Sequence, residues 1–161
     1  MTITIRPARM EDAEALVALI NPIIRAGGTT AIEQEISLDD QRLFIAASTG
    51  KSLFHVAEAD GGVIGFQTVT PNKSLPEDVG DIATFVARGR NRNGVGQQLA
   101  EATFAAAKAA GWRELNATIR ADNAQGLGYY KKIGFRETGR TAAIPLTSGA
   151  EVDRIHHRRP L

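Results

Sequence analysis

Apolar residues recur along the chain with two periods, and the switches between them divide it into elements. Ile3 and Ile5 alternate with Thr2, Thr4 and Arg6, a half-buried strand that Pro7 stops. From Met10 the chain turns acidic, as helix amino termini do, and Ala13, Leu16, Val17, Ile20, Ile23 and Ile24 follow at helical spacing. Asn21-Pro22 falls inside that run, which predicts a kink or break, and Gly27-Gly28 ends it. Ser37, with Asp40 after it, predicts the cap of a second helix reaching Ser48. Phe54, Val56 and Ala57 read as a strand, Asp60-Gly61-Gly62 as a turn, and residues 63–69 as the hairpin partner. After a loop at 71–76, residues 82–87 form a further strand. A loop at 88–96, rich in arginine and glycine, enters an alanine-rich helix over 95–110 that Gly111 stops. A strand over 113–119, a helix capped by Asn123 and running to Ile133, and a strand opening at Gly134-Phe135 follow. Residues 151–158 predict a last strand, with His156-His157-Arg158-Arg159 as a basic, solvated end. The order β-α-α-β-β-β-α-β-α-β-β mixes hairpins with a strand–helix–strand unit. It predicts an α+β fold: a mixed, mostly antiparallel central sheet flanked by helices.

At about 150 residues per domain, 161 residues make one domain over 1–161. The 43% hydrophobic and 23% charged content is that of an ordinary globular chain. Lys plus Arg number 19 and Asp plus Glu 18, and this balance argues against nucleic acid as a partner. Cysteine is absent, which removes disulfides, thiolate metal sites and a cysteine nucleophile, and fits a reducing cytoplasm. No apolar run approaches the roughly 18 residues that cross a bilayer, and the start, Met1 to Arg6, has no leader-like core. A cytoplasmic domain without a membrane partner is the expectation. No metal is expected either, because adjacent histidines on a strand, His156 and His157, point opposite ways.

The segment from Phe85 to Leu99 carries the chemistry. A strand empties into a loop whose last residues, Asn93-Gly94-Val95-Gly96, open a helix. The first turn of a helix leaves about four N–H groups without partners, all aimed one way, and the helix dipole adds positive character. Gly94 and Gly96 would let an anion approach the backbone, and Arg88, Arg90 and Arg92 add charge, a combination that suits a pyrophosphate. The plainer alternative is a glycine turn bearing solvated arginines. A dinucleotide fingerprint does not fit, since no third glycine falls in place, and no Gly-Lys-Ser/Thr of a nucleotide P-loop occurs.

A second segment, Asn123-Ala-Gln-Gly-Leu-Gly-Tyr-Tyr-Lys-Lys-Ile-Gly-Phe135, joins the first. Together they resemble the GNAT superfamily of acyl-CoA-dependent N-acetyltransferases, whose pyrophosphate signature is Gln/Arg-x-x-Gly-x-Gly/Ala. This chain has Asn91-Arg92-Asn93-Gly94-Val95-Gly96, with Asn91 where Gln or Arg is usual. The later signature, an Asn opening a helix that ends in Tyr-x-x-x-Gly-Phe, is matched by Asn123, Tyr130, Gly134 and Phe135. Residues 20–33, with Ser37 and Asp40, look like the phosphinothricin and amino-acid N-acetyltransferase branch.

The resemblance implies acetyl-CoA as co-substrate and transfer of its acetyl group to the primary amine of a small molecule, an amino acid or analogue. Asn91, Arg92, Asn93, Gly94, Val95, Gly96, Gln97 and Asn123 would hold the coenzyme. Phe85, Val86 and Ala87 would offer backbone donors freed by a strand bulge. Tyr130 stands where the family places the acid near the sulfur; its alternative role is packing on the sheet. Asp81 stands where a carboxylate base is carried, against a solvated strand-end aspartate or a water relay. Glu33 would pair with the substrate ammonium, against a solvated loop glutamate. Without cysteine, direct attack in a ternary complex is expected. A protein or peptide amine as acceptor, and a non-catalytic acyl-CoA sensor, remain as alternatives. Dimers are common among relatives, so the resemblance also implies a homodimer.

Overall fold

The computed structural model describes residues 1–91 and 93–161. Seven strands form one sheet: β1 (Thr4–Pro7), β2 (Leu53–Ala59), β3 (Gly62–Thr70), β4 (Val79–Val86), β5 (Glu114–Arg120), β6 (Arg136–Pro145) and β7 (Glu151–Pro160). Four helices accompany them: α1 (Ala13–Ala26), α2 (Leu38–Ala47), α3 (Val95–Ala109) and α4 (Ala124–Lys132). The strand order is β1-β2-β3-β4-β5-β7-β6, and every neighbouring pair is antiparallel except β4 with β5. This is the α+β fold that the hydrophobic pattern predicts.

Side chains alternate across each strand, so the sheet has two distinct faces. On one, Phe54, Val56 and Phe66 pack with Leu16, Ile20 and Ile24 of α1 and Ile45 of α2. On the other, Val69, Leu115 and Ala117 meet Ala107 and Tyr130, and Ala57 meets Leu99. Burying a side chain of this size contributes about 1.5–3 kcal/mol, so each helix is held by its apolar stripe. The hairpin turn between β2 and β3 has Asp60 and Gly61 both at positive φ, 52° and 78°, as its two-residue turn requires.

Two expectations change. α1 runs unbroken from Ala13 to Ala26 with Pro22 inside. The Asn21 side chain accepts from Ile36 N (2.8 Å) and donates to Ile36 O (3.0 Å), strapping the following loop to the helix. The basic end is no solvated tail. β7 lies between β5 and β6, with Ile155 and His157 buried, because the sheet takes its last strand inside rather than at the edge. No helix among the described residues is long and apolar enough to cross a membrane.

Candidate active site

β4 and β5 lie parallel only where Val79, Gly80 and Asp81 face Glu114, Leu115 and Asn116. Beyond Asp81, β4 stays with β3 as far as Val86, and the two parallel strands part. The opening leads into a cleft of ≈ 1490 Å³ that α3, α4 and the loop after α1 complete. The β3–β4 register runs without a shift from Thr70↔Asp81 to Gly65↔Val86, so divergence, not a bulge, exposes β4's backbone. Ala87 N donates to Ile64 O at 2.8 Å. Ladder alternation therefore turns the N–H of Phe85 toward β3 as well, and those of Thr84 and Val86 toward the opening. Of the three donors expected, Val86 faces the cleft. Phe85 lines it while its ring stacks on Phe66 (4.9 Å), and Ala87 lies outside it. Thr84 is the donor that the sequence did not single out.

At the far end of β4, Asn91, Gly94, Val95, Gly96 and Gln97 line the cleft. Asn93 is exposed but not among the lining residues, and Arg92 lies outside the described residues. Gly94 caps α3 at φ 77°, a left-handed conformation open to glycine, and a Cβ there would meet nothing within 4 Å. The bond from Gln98 N to Gly94 O (3.1 Å) is the first of the helix, which leaves the N–H groups of Val95, Gly96 and Gln97 as outward donors. This cradle fits a diphosphate. Arg88 and Arg90 line the same end, with Arg90 paired to Asp60 at 3.1 Å. Gly96 has another reason to be glycine: a Cβ there would stand 2.7 Å from Cε1 of Tyr129.

The two tyrosines of α4 join the cradle to β4. Tyr129 Oη donates to Gly96 O (2.7 Å) and accepts from Gln67 Nε2 (3.1 Å). Gln67, wholly buried, also donates to Thr84 Oγ1 (2.8 Å), which lies 2.8 Å from Tyr130 Oη. Burial raises the Tyr130 hydroxyl well above its ordinary value of 10.0, and pushes Tyr129 up to about 12. Tyr130 is thus held protonated at the cleft wall. It also packs on the sheet, in edge-to-face contact with Phe135 at 5.2 Å. Tyr129, which sequence reasoning passed over, is a strut between β3 and the first turn of α3. Asn123 Oδ1 caps α4 by accepting from Gly126 N (2.9 Å), and its Nδ2 donates to Thr29 O (3.2 Å) at the cleft edge.

Asp81 lines the cleft on the sheet face opposite Thr84. Its two oxygens accept from Asn116 Nδ2 (3.0 Å) and Asn72 Nδ2 (3.1 Å). Glu33 is not in the cleft lining. It is exposed and accepts from Thr147 N at 2.8 Å, a bond that holds its carboxyl below the usual range and ties the loop after α1 to the β6–β7 turn. Among the described residues, no group of three or more His, Cys, Asp or Glu is placed to hold a metal ion.

The sequence pattern of the acetyltransferase (GNAT) domain matches residues 5–155. The chain belongs to the GNAT acetyltransferase family. An L-methionine sulfoximine/L-methionine sulfone acetyltransferase of Pseudomonas paraeruginosa is 27% identical to it over 159 residues, 95% of this chain and 91% of that one. The structure of a GCN5-related N-acetyltransferase from Kribbella flavida is similar at a TM-score of 0.85 and 27% identity, covering 99% of this chain and 98% of that one. A phosphinothricin acetyltransferase from Sinorhizobium meliloti, solved with acetyl-CoA, shares the fold at a TM-score of 0.90 and 22% identity, over 100% of this chain and 89% of its own. The GNAT enzyme transfers an acetyl group from acetyl-CoA to an amine acceptor.

Proposed function

We propose that the acceptor is the primary amine of a small molecule, an α-amino acid or analogue of the methionine sulfoximine and sulfone class, acetylated by direct attack in a ternary complex. One observation carries this: Asp81 and Tyr130 line one cleft from opposite faces of the sheet, beside a backbone cradle suited to a diphosphate. The thioester brings an activated acetyl group. Val95, Gly96 and Gln97 bind the diphosphate through their N–H groups, and those of Thr84 and Val86 meet the pantetheine and the acetyl oxygen. The Asp81 carboxylate draws the ammonium of the acceptor. An alkylammonium, with a pKa of about 10, must lose a proton before it attacks. Tyr130 protonates the departing sulfur. The 27% identity with the methionine sulfoximine acetyltransferase over nearly the whole chain supports the acceptor class. A homodimer belongs to the same proposal, supported by Leu43 and Phe44 of α2, which are 68% and 44% exposed.

The test is release of coenzyme A thiol from acetyl-CoA with purified protein and a panel of amines: L-methionine sulfoximine, L-methionine sulfone, the common amino acids and short peptides. Turnover of the free amino acids with intersecting initial-rate lines is the expected result. Turnover of peptides alone would move the acceptor to a protein amine. Coenzyme binding without turnover across the panel would make the protein a sensor.

A further inference from the structure

On the acceptor side of the sheet, a chain of hydrogen bonds leaves the cleft and reaches the surface through β5, β7 and β6. Leu115, Ala117 and Ile119 pack in the core beneath α3 and α4, so Asn116 and Thr118 point to the opposite face with Asp81. Thr118 lines the cleft and pairs across the ladder with His156, which is part-buried. Thr118 Oγ1 is 2.9 Å from His156 Nδ1, and His156 Nε2 is 2.7 Å from Oγ1 of the exposed Thr141.

Counting donors fixes the orientation of Asn116 at the head of this chain. Arg158 Nε can only donate, and it points to Asn116 Oδ1 (3.2 Å); ionised Asp81 can only accept, and it faces Asn116 Nδ2 (3.0 Å). The Asn116 amide is therefore fixed, and its Nδ2 also donates to Thr118 Oγ1 (3.1 Å). A hydroxyl that accepts there keeps one hydrogen and one lone pair to divide between His156 Nδ1 and the cleft. With that hydrogen given to Nδ1, His156 carries its own on Nε2, toward Thr141.

We propose that Thr118 and His156 form the route by which the acceptor loses its proton, with Asp81 holding the ammonium in place. This rests on the acetyl-transfer reading above. The N–H bond of the ammonium breaks toward Thr118 Oγ1 as the Thr118 hydrogen passes to His156 Nδ1. The imidazolium releases its Nε2 hydrogen to solvent at the Thr141 edge, and proton exchange with solvent returns the ring to its starting tautomer before the next turnover. The freed amine then forms the N–C bond as the C–S bond breaks. Tyr130 gives its proton to sulfur and is restored by the second hydrogen that the nitrogen loses. Imidazole is a stronger base than a carboxylate, so it is the better-matched acceptor of an amine proton. His156 acts through Thr118 and is a positioning residue in that sense. Charged groups on its face are Arg154 and Arg158 on β7, Glu114 and Arg120 on β5, Asp81 on β4 and Arg136 on β6. Glu33 of the loop after α1 sits within the influence of Arg120 and Arg154.

The experiment follows kcat and kcat/KM from pH 6 to 10 for wild type, His156→Gln, Thr118→Val and Thr118→Ser, with L-methionine sulfoximine or the panel amine acetylated fastest. His156→Gln and Thr118→Val are expected to lose about tenfold or more in kcat near pH 7. The deficit closes toward pH 10, where the acceptor sheds its own proton. Thr118→Ser stays within about threefold of wild type, the range left when the relaying hydroxyl is kept. Acetyl-CoA affinity by calorimetry stays unchanged in all three. A wild-type pH profile in a folded His156→Gln, or a deficit of the same size at every pH, overturns the relay. If His156→Gln does not fold, Thr118→Val against Thr118→Ser decides on the same criteria. Wild-type protein that acetylates no amine overturns the acetyl-transfer reading itself, a result distinct from loss of the relay alone.

Discussion

The two ends of the cleft are built from different materials. The coenzyme end is backbone: one continuous loop, a left-handed glycine and the first turn of α3. The acceptor end is side chain: Asp81, Asn116, Thr118 and His156 from three strands, each oriented by a neighbour. A backbone cradle recognises a diphosphate whatever its flanking side chains, because amide donors and the helix dipole come with the fold. That tolerance explains how Asn91 can stand where the family has Gln or Arg. Side-chain networks carry specificity, since each buried polar atom needs a defined partner. The tyrosine pair joins the two, with Tyr129 fastened to Gly96 at one end and Tyr130 to Thr84 at the other.

Breaking the coenzyme end alone should have the largest effect. Gly94→Asp puts a carboxylate into the open space above the cap, opposite an incoming diphosphate. Aspartate tolerates a positive φ better than most residues, so the fold survives. Calorimetry should show acetyl-CoA affinity reduced by about a hundredfold, equivalent to roughly 2.7 kcal/mol, while acceptor recognition at saturating coenzyme is retained. Unchanged affinity in the folded variant would remove the cradle from the site.

Tyr130→Phe tests the seam and should come next in size. Turnover falls by about tenfold to a hundredfold, the lower range for a general acid because a thiolate leaves readily. Coenzyme affinity changes little. A variant that unfolds instead would mean that packing against Phe135 is its whole role.

The smallest effect is on stability in alkali. Burial raises both tyrosines above 10.0, so the folded state holds their protons more tightly than the unfolded chain does. Stability is complete below pH 10 and declines as pH rises from 10 toward the folded values, about 12 for Tyr129. Thermal midpoints recorded from pH 9 to 11 should show this slope in wild type and a shallower one in Tyr129→Phe. Equal slopes would place the hydroxyls outside the buried network.

Local signals were legible in the chain. The Ser37 and Asn123 caps, the Asp60-Gly61 turn and the apolar stripes of α1 and α3 depend on spacing and intrinsic geometry, which a sequence displays directly. So did the cradle, because a strand, a glycine loop and a helix start lie next to one another in the chain. The reason for Gly96 did not show: the ring that excludes a Cβ comes from α4. Pro22 does not break α1, because a proline signal is local, while packing of Leu16, Ile20 and Ile24 keeps the helix continuous.

Sequence determined the elements, their order and the glycine loop that opens α3, since periodicity, capping and glycine placement act between near neighbours. Only the tertiary structure decided which backbone donors face the cleft, that Glu33 ties the loop after α1 to the β6–β7 turn, and that the basic end is an interior strand. Strand order and register bring Asp81, Thr118 and His156 together from distant parts of the chain, and no local period encodes those pairings.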